Sequence, residues 1–209
     1  MKKYILDLEV TENNKLNDNY VLLKLTSKSL LPEMIAGQFA EIRVDNSQAT
    51  YLRRPISINY IDRQRNELWL LIQLVGNGTK SLARTKSGDT INAILPLGNG
   101  FSMPKSSSPK ILLIGGGVGI APLLFLGEQL AKAGSKPIFL LGARNEKDLL
   151  QLDRFTIYGD VYTTTEDGTH GEKGYVTQHS VLGKLHFDQI YTCGPKPMMK
   201  AIAQYAKAN

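Results

Sequence analysis

A chain of 209 residues, 42% of them hydrophobic, is long enough for one large domain or two small ones and has the make-up of a folded globular protein, not a disordered one. Its 25 basic and 19 acidic side chains leave a formal charge of +6, which suits anionic ligands such as pyrophosphates but is gathered into no single run, so nucleic-acid binding gains little from it. One cysteine, Cys193, excludes an intramolecular disulfide and a metal or iron–sulfur site built of cysteines alone, and no stretch approaches the ~18 consecutive apolar residues of a membrane span.

At the start, Asp7 and Glu9 interrupt what would have to be a signal peptide's apolar core, which points to a cytoplasmic protein. Residues 4–10, 20–25, 39–44, 56–60 and 68–74 alternate apolar and polar side chains between turn residues. They predict a small antiparallel sheet that buries its apolar face by closing into a compact barrel. Within this half, Leu52-Arg53-Arg54-Pro55-Ile56-Ser57-Ile58 carries adjacent arginines that project to opposite faces of a strand. One can then grip a ligand phosphate while the other stays solvated, or both belong to the surface. A glycine turn, Gly76-Asn77-Gly78-Thr79-Lys80, precedes a short helical run at 81–84. Read alone, it is equally a phosphate site on N–H groups and the Thr79 hydroxyl, or a plain hairpin or helix-start turn. A Ser/Pro-rich linker at 102–109 then sets the domains at 1–103 and 104–209.

Beyond the linker the pattern changes. Residues 111–114 form a continuous apolar run, as in a strand covered on both faces, and lead through glycines into a helix over 121–133 that Gly134 ends. Further strands are predicted at 138–141, 160–164 and 189–192, so strands alternate with helices and the sheet is parallel and doubly wound. The turn Gly115-Gly116-Gly117-Val118-Gly119-Ile120-Ala121-Pro122 lies between a buried strand and a helix start, where glycines admit a phosphate close to the backbone and free N–H groups face it. Its spacing is not a regular G-x-G-x-x-G, and a merely tight turn is the alternative. His170, His179 and His186 lack metal-ligand spacing and read as solvated or structural, so no metal site is expected; Met198 and Met199 read as packing.

Taken in order, Arg54-Pro55-Ile56-Ser57, Gly76-Asn77-Gly78-Thr79, the 115–122 turn and Thr192-Cys193-Gly194-Pro195-Lys196-Pro197-Met198-Met199 resemble the motif set of the ferredoxin–NADP reductase superfamily, across nearly the whole chain. Within it, Leu52 to Ile58, Thr164-Thr165-Glu166-Asp167-Gly168 and Gly171-Glu172-Lys173-Gly174-Tyr175-Val176-Thr177 are most similar to the electron-transfer subunits of class 1B, NAD-dependent dihydroorotate dehydrogenases. The resemblance implies an antiparallel Greek-key β-barrel for FAD followed by a doubly wound parallel α/β domain for NAD. It implies that Arg54 pairs with the FAD pyrophosphate, that Pro55 and Ile56 lie against the isoalloxazine, and that Ser57 hydrogen-bonds near flavin N5. Leu71, Ile72 and Gln73 would meet the flavin through backbone groups, and Gly78 with Thr79 would hold its phosphate. Ile56 stands where other members often carry tyrosine, so an aliphatic wall replaces ring stacking.

In the second domain the resemblance gives the NAD pyrophosphate to Gly115, Gly116, Gly117, Val118, Gly119, Ala121 and Pro122, and the adenosine half to Arg144, Glu166 and Asp167. The two acids oppose a 2′-phosphate and favour NAD over NADP, while Arg144 argues the other way. Cys193, with Gly194 and Pro195, would stand beside nicotinamide C4, although a small buried residue is the plainer role for a cysteine. Ser57 and Cys193 are thus the side chains nearest the chemistry, and no acid–base residue is demanded, because hydride transfer belongs to the cofactors. The family's [2Fe–2S] centre is held by cysteines beyond the Cys-Gly-Pro segment, whereas this chain stops at Asn209 with one thiol, which reads as a truncated form of a longer protein. The implied activity is electron transfer between a dihydroorotate dehydrogenase catalytic subunit and NAD through FAD, in pyrimidine biosynthesis, in an assembly of two of each subunit. The alternatives are the electron-transfer subunit of another NAD(P)H-linked complex, such as a hydrogenase or sulfide-linked reductase, and a dinucleotide-sensing module without turnover.

Overall fold

The computed structural model describes residues 2–45, 50–104 and 109–209, which divide into two compact units, Met1–Phe101 and Ser102–Asn209. The sequence pattern sets the division after Met103; the structure places it after Phe101, because the Tyr191 hydroxyl donates to the Ser102 carbonyl (2.5 Å) and ties that residue to the second unit. Residues 105–108 of the predicted linker lie outside the described residues.

The first unit contains β1 (Tyr4–Lys15), β2 (Tyr20–Thr26), β3 (Phe39–Ile42), β4 (Arg54–Asp62), β5 (Glu67–Gln73), the short helix α1 (Asn77–Leu82) and β6 (Thr90–Leu97). The strands are antiparallel and close into a barrel in the order β1-β2-β5-β4-β3-β6; β3, β4 and β5 are successive neighbours and β6 returns beside β3, a Greek-key arrangement. Leu8 and Val10, Leu23 and Leu25, and Leu68 and Leu70 are fully buried, so the period-two pattern that predicts these strands is the face turned into the barrel. Each such side chain contributes roughly 1.5–3 kcal/mol through burial. β1 runs on past Val10 to Lys15 through a bulge between Val10 and Glu12, which resets the alternation and hides the strand's second half from a pattern search. β2 and β5 are also covered on their outer side. There Lys24 pairs with Glu12 and lies 4.5 Å from the centre of the Trp69 ring, while Trp69 Nε1 and Thr11 Oγ1 donate to the Glu67 carboxylate (3.1 and 3.0 Å).

The second unit contains β7 (Ile111–Gly116), α2 (Ala121–Lys132), β8 (Ile138–Ala143), α3 (Leu152–Phe155), β9 (Asp160–Thr165), β10 (Glu172–Lys173), α4 (Val181–Lys184), β11 (Gln189–Cys193) and α5 (Lys196–Ala208). Its sheet is parallel, in the order β10-β9-β8-β7-β11. Strands β7 to β10 step outward in one direction and β11 returns to the other side of β7, so the winding reverses between β7 and β11. In open α/β sheets, ligands bind outside the carboxyl ends of the strands at such a reversal. One face of the sheet packs Leu112, Ile114, Ile138 and Leu140 against Val181, Leu182 and Ile202 of α4 and α5. On the other face Phe139 meets Phe155 edge-on, ring centres 5.0 Å apart, and presses so close to α2 that a Cβ at Gly127 would lie 2.5 Å from its ring. Among the described residues, no helix is long and apolar enough to cross a membrane.

Candidate functional site

In the barrel, β4 changes partners along its length. It is laddered to β5 from Asp62↔Glu67 as far as Ile58↔Leu70, with a bulge between Ile58 and Tyr60. Beyond that point Arg54 to Ser57 pair with β3 (Ile42↔Arg54, Phe39↔Ser57), while Leu71, Ile72 and Gln73 pair with β2 (Leu22↔Leu71, Tyr20↔Gln73). The wall therefore opens between two lips, Arg54-Pro55-Ile56-Ser57 and Leu71-Ile72-Gln73, the segments assigned to a flavin by resemblance. Main-chain groups along the facing edges have no ladder partner across the opening, which fits a planar ring rimmed with donors and acceptors. Along this lip Ile56 is buried in step with Ile58 and on the same strand face as Arg54, Pro55 is exposed and Ser57 is half-buried.

The second lip runs on into α1. The sequence pattern starts that helix at Ser81; it starts at Asn77, because the Thr79 hydroxyl fastens its first turn, accepting from the Val75 and Gly76 N–H groups (3.1 and 3.2 Å) and donating to Gly76 O (3.1 Å). The hydroxyl proton is thus committed, and what Thr79 offers an anion is its main-chain N–H at the helix start. The stem of Arg54 lies over this turn: a Cβ at Gly78 would come 3.1 Å from Arg54 Cδ. The Arg54 guanidinium donates to the carbonyls of Leu52 (3.0 Å from Nη2) and Arg53 (3.1 Å from Nε), and no acid pairs with it among the described residues. An un-neutralised guanidinium over the first turn of a helix fits a diphosphate. Arg53 is half-buried and tied to neighbouring strands. Its Nη1 donates to Glu41 O (3.2 Å) and Asn92 O (3.1 Å) and its Nη2 to Asn92 Oδ1 (2.5 Å), contacts that no local pattern announces.

In the second unit the winding reversal coincides with the glycine turn. Gly115 and Gly116 end β7, Gly117 to Ile120 form a 3-10 turn that Gly117 enters at φ +55°, and α2 follows with Pro122 in its first turn. Gly115 is the ladder partner of Cys193, and Gly119 packs on the backbone just beyond: a Cβ there would lie 2.4 Å from Cys193 O and 2.5 Å from Gly194 Cα. Two motifs remote in sequence thus form one concave turn at the carboxyl ends of β7 and β11. Its floor is Met198, whose sulfur would lie 2.6 Å from a Cβ at Gly116; the packing role read for that residue is the one it has. A turn this close to its neighbour, with helix-start N–H groups on its outer side, fits the diphosphate of a dinucleotide.

Cys193 is half-buried, and burial pushes its thiol above the usual range. At neutral pH it is therefore a neutral thiol. We predict that iodoacetamide alkylates this chain at pH 7.5 more slowly than it alkylates glutathione, with mass spectrometry following the one site. Alkylation at the glutathione rate would contradict the assignment.

The turns after β8 and β9, assigned to the adenosine half by resemblance, are joined: Glu166 N–H donates to Ala143 O (3.1 Å) and Asp167 N–H to Arg144 O (3.2 Å). The Asp167 carboxylate accepts the hydroxyl (2.7 Å) and N–H (3.0 Å) of Thr169, which hold its pKa below the ordinary value, so it serves its own loop. Arg144 and Glu166 make no side-chain hydrogen bond or ion pair among the described residues and remain available to a ribose or its phosphate. Among the histidines, His179 is buried, accepts the Val181 N–H at Nδ1 (3.0 Å) and has its pKa lowered by burial, with Glu172 beside it held by Ser180. Among the described residues there is no group of three or more His, Cys, Asp or Glu able to hold a metal ion, and one thiol does not fit an iron–sulfur centre.

Residues 113–204 match the oxidoreductase NAD-binding domain family. The chain is 38% identical over 169 residues to the electron transfer subunit of dihydroorotate dehydrogenase B (NAD(+)) of Bacillus caldolyticus, covering 80% of this chain and 66% of that relative. It is 37% identical over 205 residues to the subunit of the same name from Fusobacterium nucleatum, covering 95% and 78%. The NADH-dependent reduced ferredoxin-NADP oxidoreductase, solved for insight into flavin-based electron bifurcation, superposes with a TM-score of 0.83 at 30% identity, covering 96% of this chain and 72% of that one. A cytochrome P450 reductase from Amycolatopsis shares the fold with a TM-score of 0.84 at 24% identity, covering 99% and 66%. A Greek-key barrel followed by a parallel sheet with a dinucleotide turn at its reversal defines an NAD-linked oxidoreductase module of the ferredoxin reductase type. More narrowly, the chain belongs to the family of electron transfer subunits of dihydroorotate dehydrogenase B (NAD(+)), and it spans just under two thirds of the first relative's length.

Proposed function

We propose that this chain carries electrons between a dihydroorotate-oxidising partner chain and NAD, with FAD held in the barrel opening and NAD at the glycine turn of the second unit. The observation that carries this reading is that each unit has a tightly packed glycine turn suited to a diphosphate: Arg54 lies over the Gly78 turn in one, and Gly119 lies against Cys193-Gly194 in the other. The flavin and the nicotinamide supply the hydride and electron chemistry when bound. The chain's own part is to hold and orient them. Arg54 and the first turn of α1 bind the flavin diphosphate, the facing edges of β4 and β5 offer main-chain groups to the ring, and Ser57 offers its hydroxyl beside it. Cys193, as a neutral thiol, shapes the nicotinamide end without adding charge, and Glu166 selects NAD by opposing a 2′-phosphate. Two electrons taken from dihydroorotate on the partner thus leave as NADH, in an assembly of two chains of each kind in the cytoplasm.

The purified chain is expected to show a flavin absorption band that NADH bleaches under anaerobic conditions, and to reduce an artificial acceptor with NADH. A colourless chain that FAD does not reconstitute defeats the reading. A second reading, service to another NAD(P)H-linked complex, is favoured by the likeness to the NADH-dependent reduced ferredoxin-NADP oxidoreductase. Co-purification with a dihydroorotate-oxidising chain separates the two.

A further inference from the structure

Resting on that reading of the barrel opening, we propose that Arg53 is the positioning residue of the flavin-diphosphate site: it holds Arg54 in place without touching the ligand. Its guanidinium reaches Glu41 O on β3 and both Asn92 O and Asn92 Oδ1 on β6. Asn92 is itself buried, 8% exposed, and passes the connection to β1 by donating from Nδ2 to Asp7 Oδ1 (2.7 Å), while its carbonyl also takes the Arg43 N–H (2.9 Å). Arg53 therefore ties β3 and β6 directly and β1 through Asn92. The barrel does not need that clip in order to close, because β1 and β6 are laddered without a break from Tyr4↔Leu95 to Glu9↔Thr90 and β3 is laddered to β4 and β6. What Arg53 does fix is the entry into β4: it lies in no strand, directly before Arg54, the first residue of that strand.

The link from one arginine to the next is direct. The carbonyl of Arg53 accepts from Arg54 Nε (3.1 Å), and the stem of Arg54 rests against Gly78 at the start of α1. An Arg53 carbonyl free to wander releases the Arg54 fork, and with it the geometry a bidentate grip on a diphosphate requires. The planar fork of arginine reaches three acceptors on two strands at once; the point charge of lysine cannot.

The test compares FAD with riboflavin, which lacks the diphosphate, on the intact chain and its Arg53→Met and Arg53→Lys variants, with thermal midpoints alongside. Arg53→Met is expected to weaken FAD by about tenfold or more and riboflavin by less than about twofold, and Arg53→Lys to recover only part of the loss. In an Arg54→Met background, the further change Arg53→Met is expected to add almost nothing for FAD, because both act on one contact. Equal weakening of both flavins, an unchanged FAD affinity, or additive losses in the double variant would each overturn the assignment. A wild-type chain that binds neither flavin overturns the functional reading itself, and a variant too unstable to assay is replaced by Asn92→Ala, which removes the side-chain acceptor of the same fork and leaves only the main-chain carbonyl on β6.

Discussion

Gly119→Ala is expected to weaken NADH binding by at least about tenfold and to destabilise the second unit by about 1–3 kcal/mol, the usual cost of forcing extra volume into a packed site. The added Cβ would lie 2.4 Å from Cys193 O and 2.5 Å from Gly194 Cα. Both are main-chain atoms, so no rotamer change relieves the contact. Either β11 separates from β7 at the Gly115↔Cys193 end of the ladder, or the 3-10 turn opens; both displace the N–H groups that would face the ligand. Gly76→Ala is the matching control. It meets nothing within 4 Å and its backbone is extended at φ −159°, so a change within about 0.5 kcal/mol is expected. NADH titration and thermal melting of the two variants decide the matter: a Gly119→Ala chain that binds NADH like the parent removes the glycine turn from the dinucleotide site.

Arg54→Met is expected to cost FAD binding about 2–4 kcal/mol, roughly 30- to 1,000-fold in affinity, with riboflavin little affected. The guanidinium hydrogen-bonds only neutral carbonyls in the contacts it makes to Leu52 and Arg53, and its charge is met by no acid among the described residues. The proposed diphosphate would supply that complement. Arg54→Lys should restore part of the charge but not the fork, and the loss should shrink as salt screens the interaction. Equal affinity of parent and variant for FAD, by fluorescence titration, would move the diphosphate elsewhere.

The parts of the fold that can be read in the sequence are those whose signal is local. The first half of β1 alternates, β7 is an unbroken apolar run, and Gly134 ends α2 at φ +84° as a C-terminal glycine should. β6 escapes because its buried residues fall in runs and not alternately, and because it includes Pro96, which reads as a breaker. The early start of α1 is hidden because Asn77 and Gly78 are poor helix formers; what overrides them is the Thr79 hydroxyl, a contact within four residues that has no periodicity. At the sites, the glycines are legible but their reason is not. Gly119 is small because Cys193 and Gly194 lie against it, a consequence of the β7–β11 register, and register between strands remote in sequence leaves no local trace. Arg53 and Arg54 read as a pair with one ligand-facing member; only the positions of Glu41 and Asn92 reveal that the other faces inward.

The outer cover of β2 and β5 carries one more consequence. Trp69 is the chain's single tryptophan, 3% exposed, capped by an ammonium and anchored at its indole nitrogen by Glu67. Its emission therefore reports on the barrel that encloses it, while circular dichroism registers both units. Because the same strand ends in Leu71-Ile72-Gln73, a flavin seated at that edge as proposed is expected to quench the indole by energy transfer, which would make Trp69 a gauge of its binding.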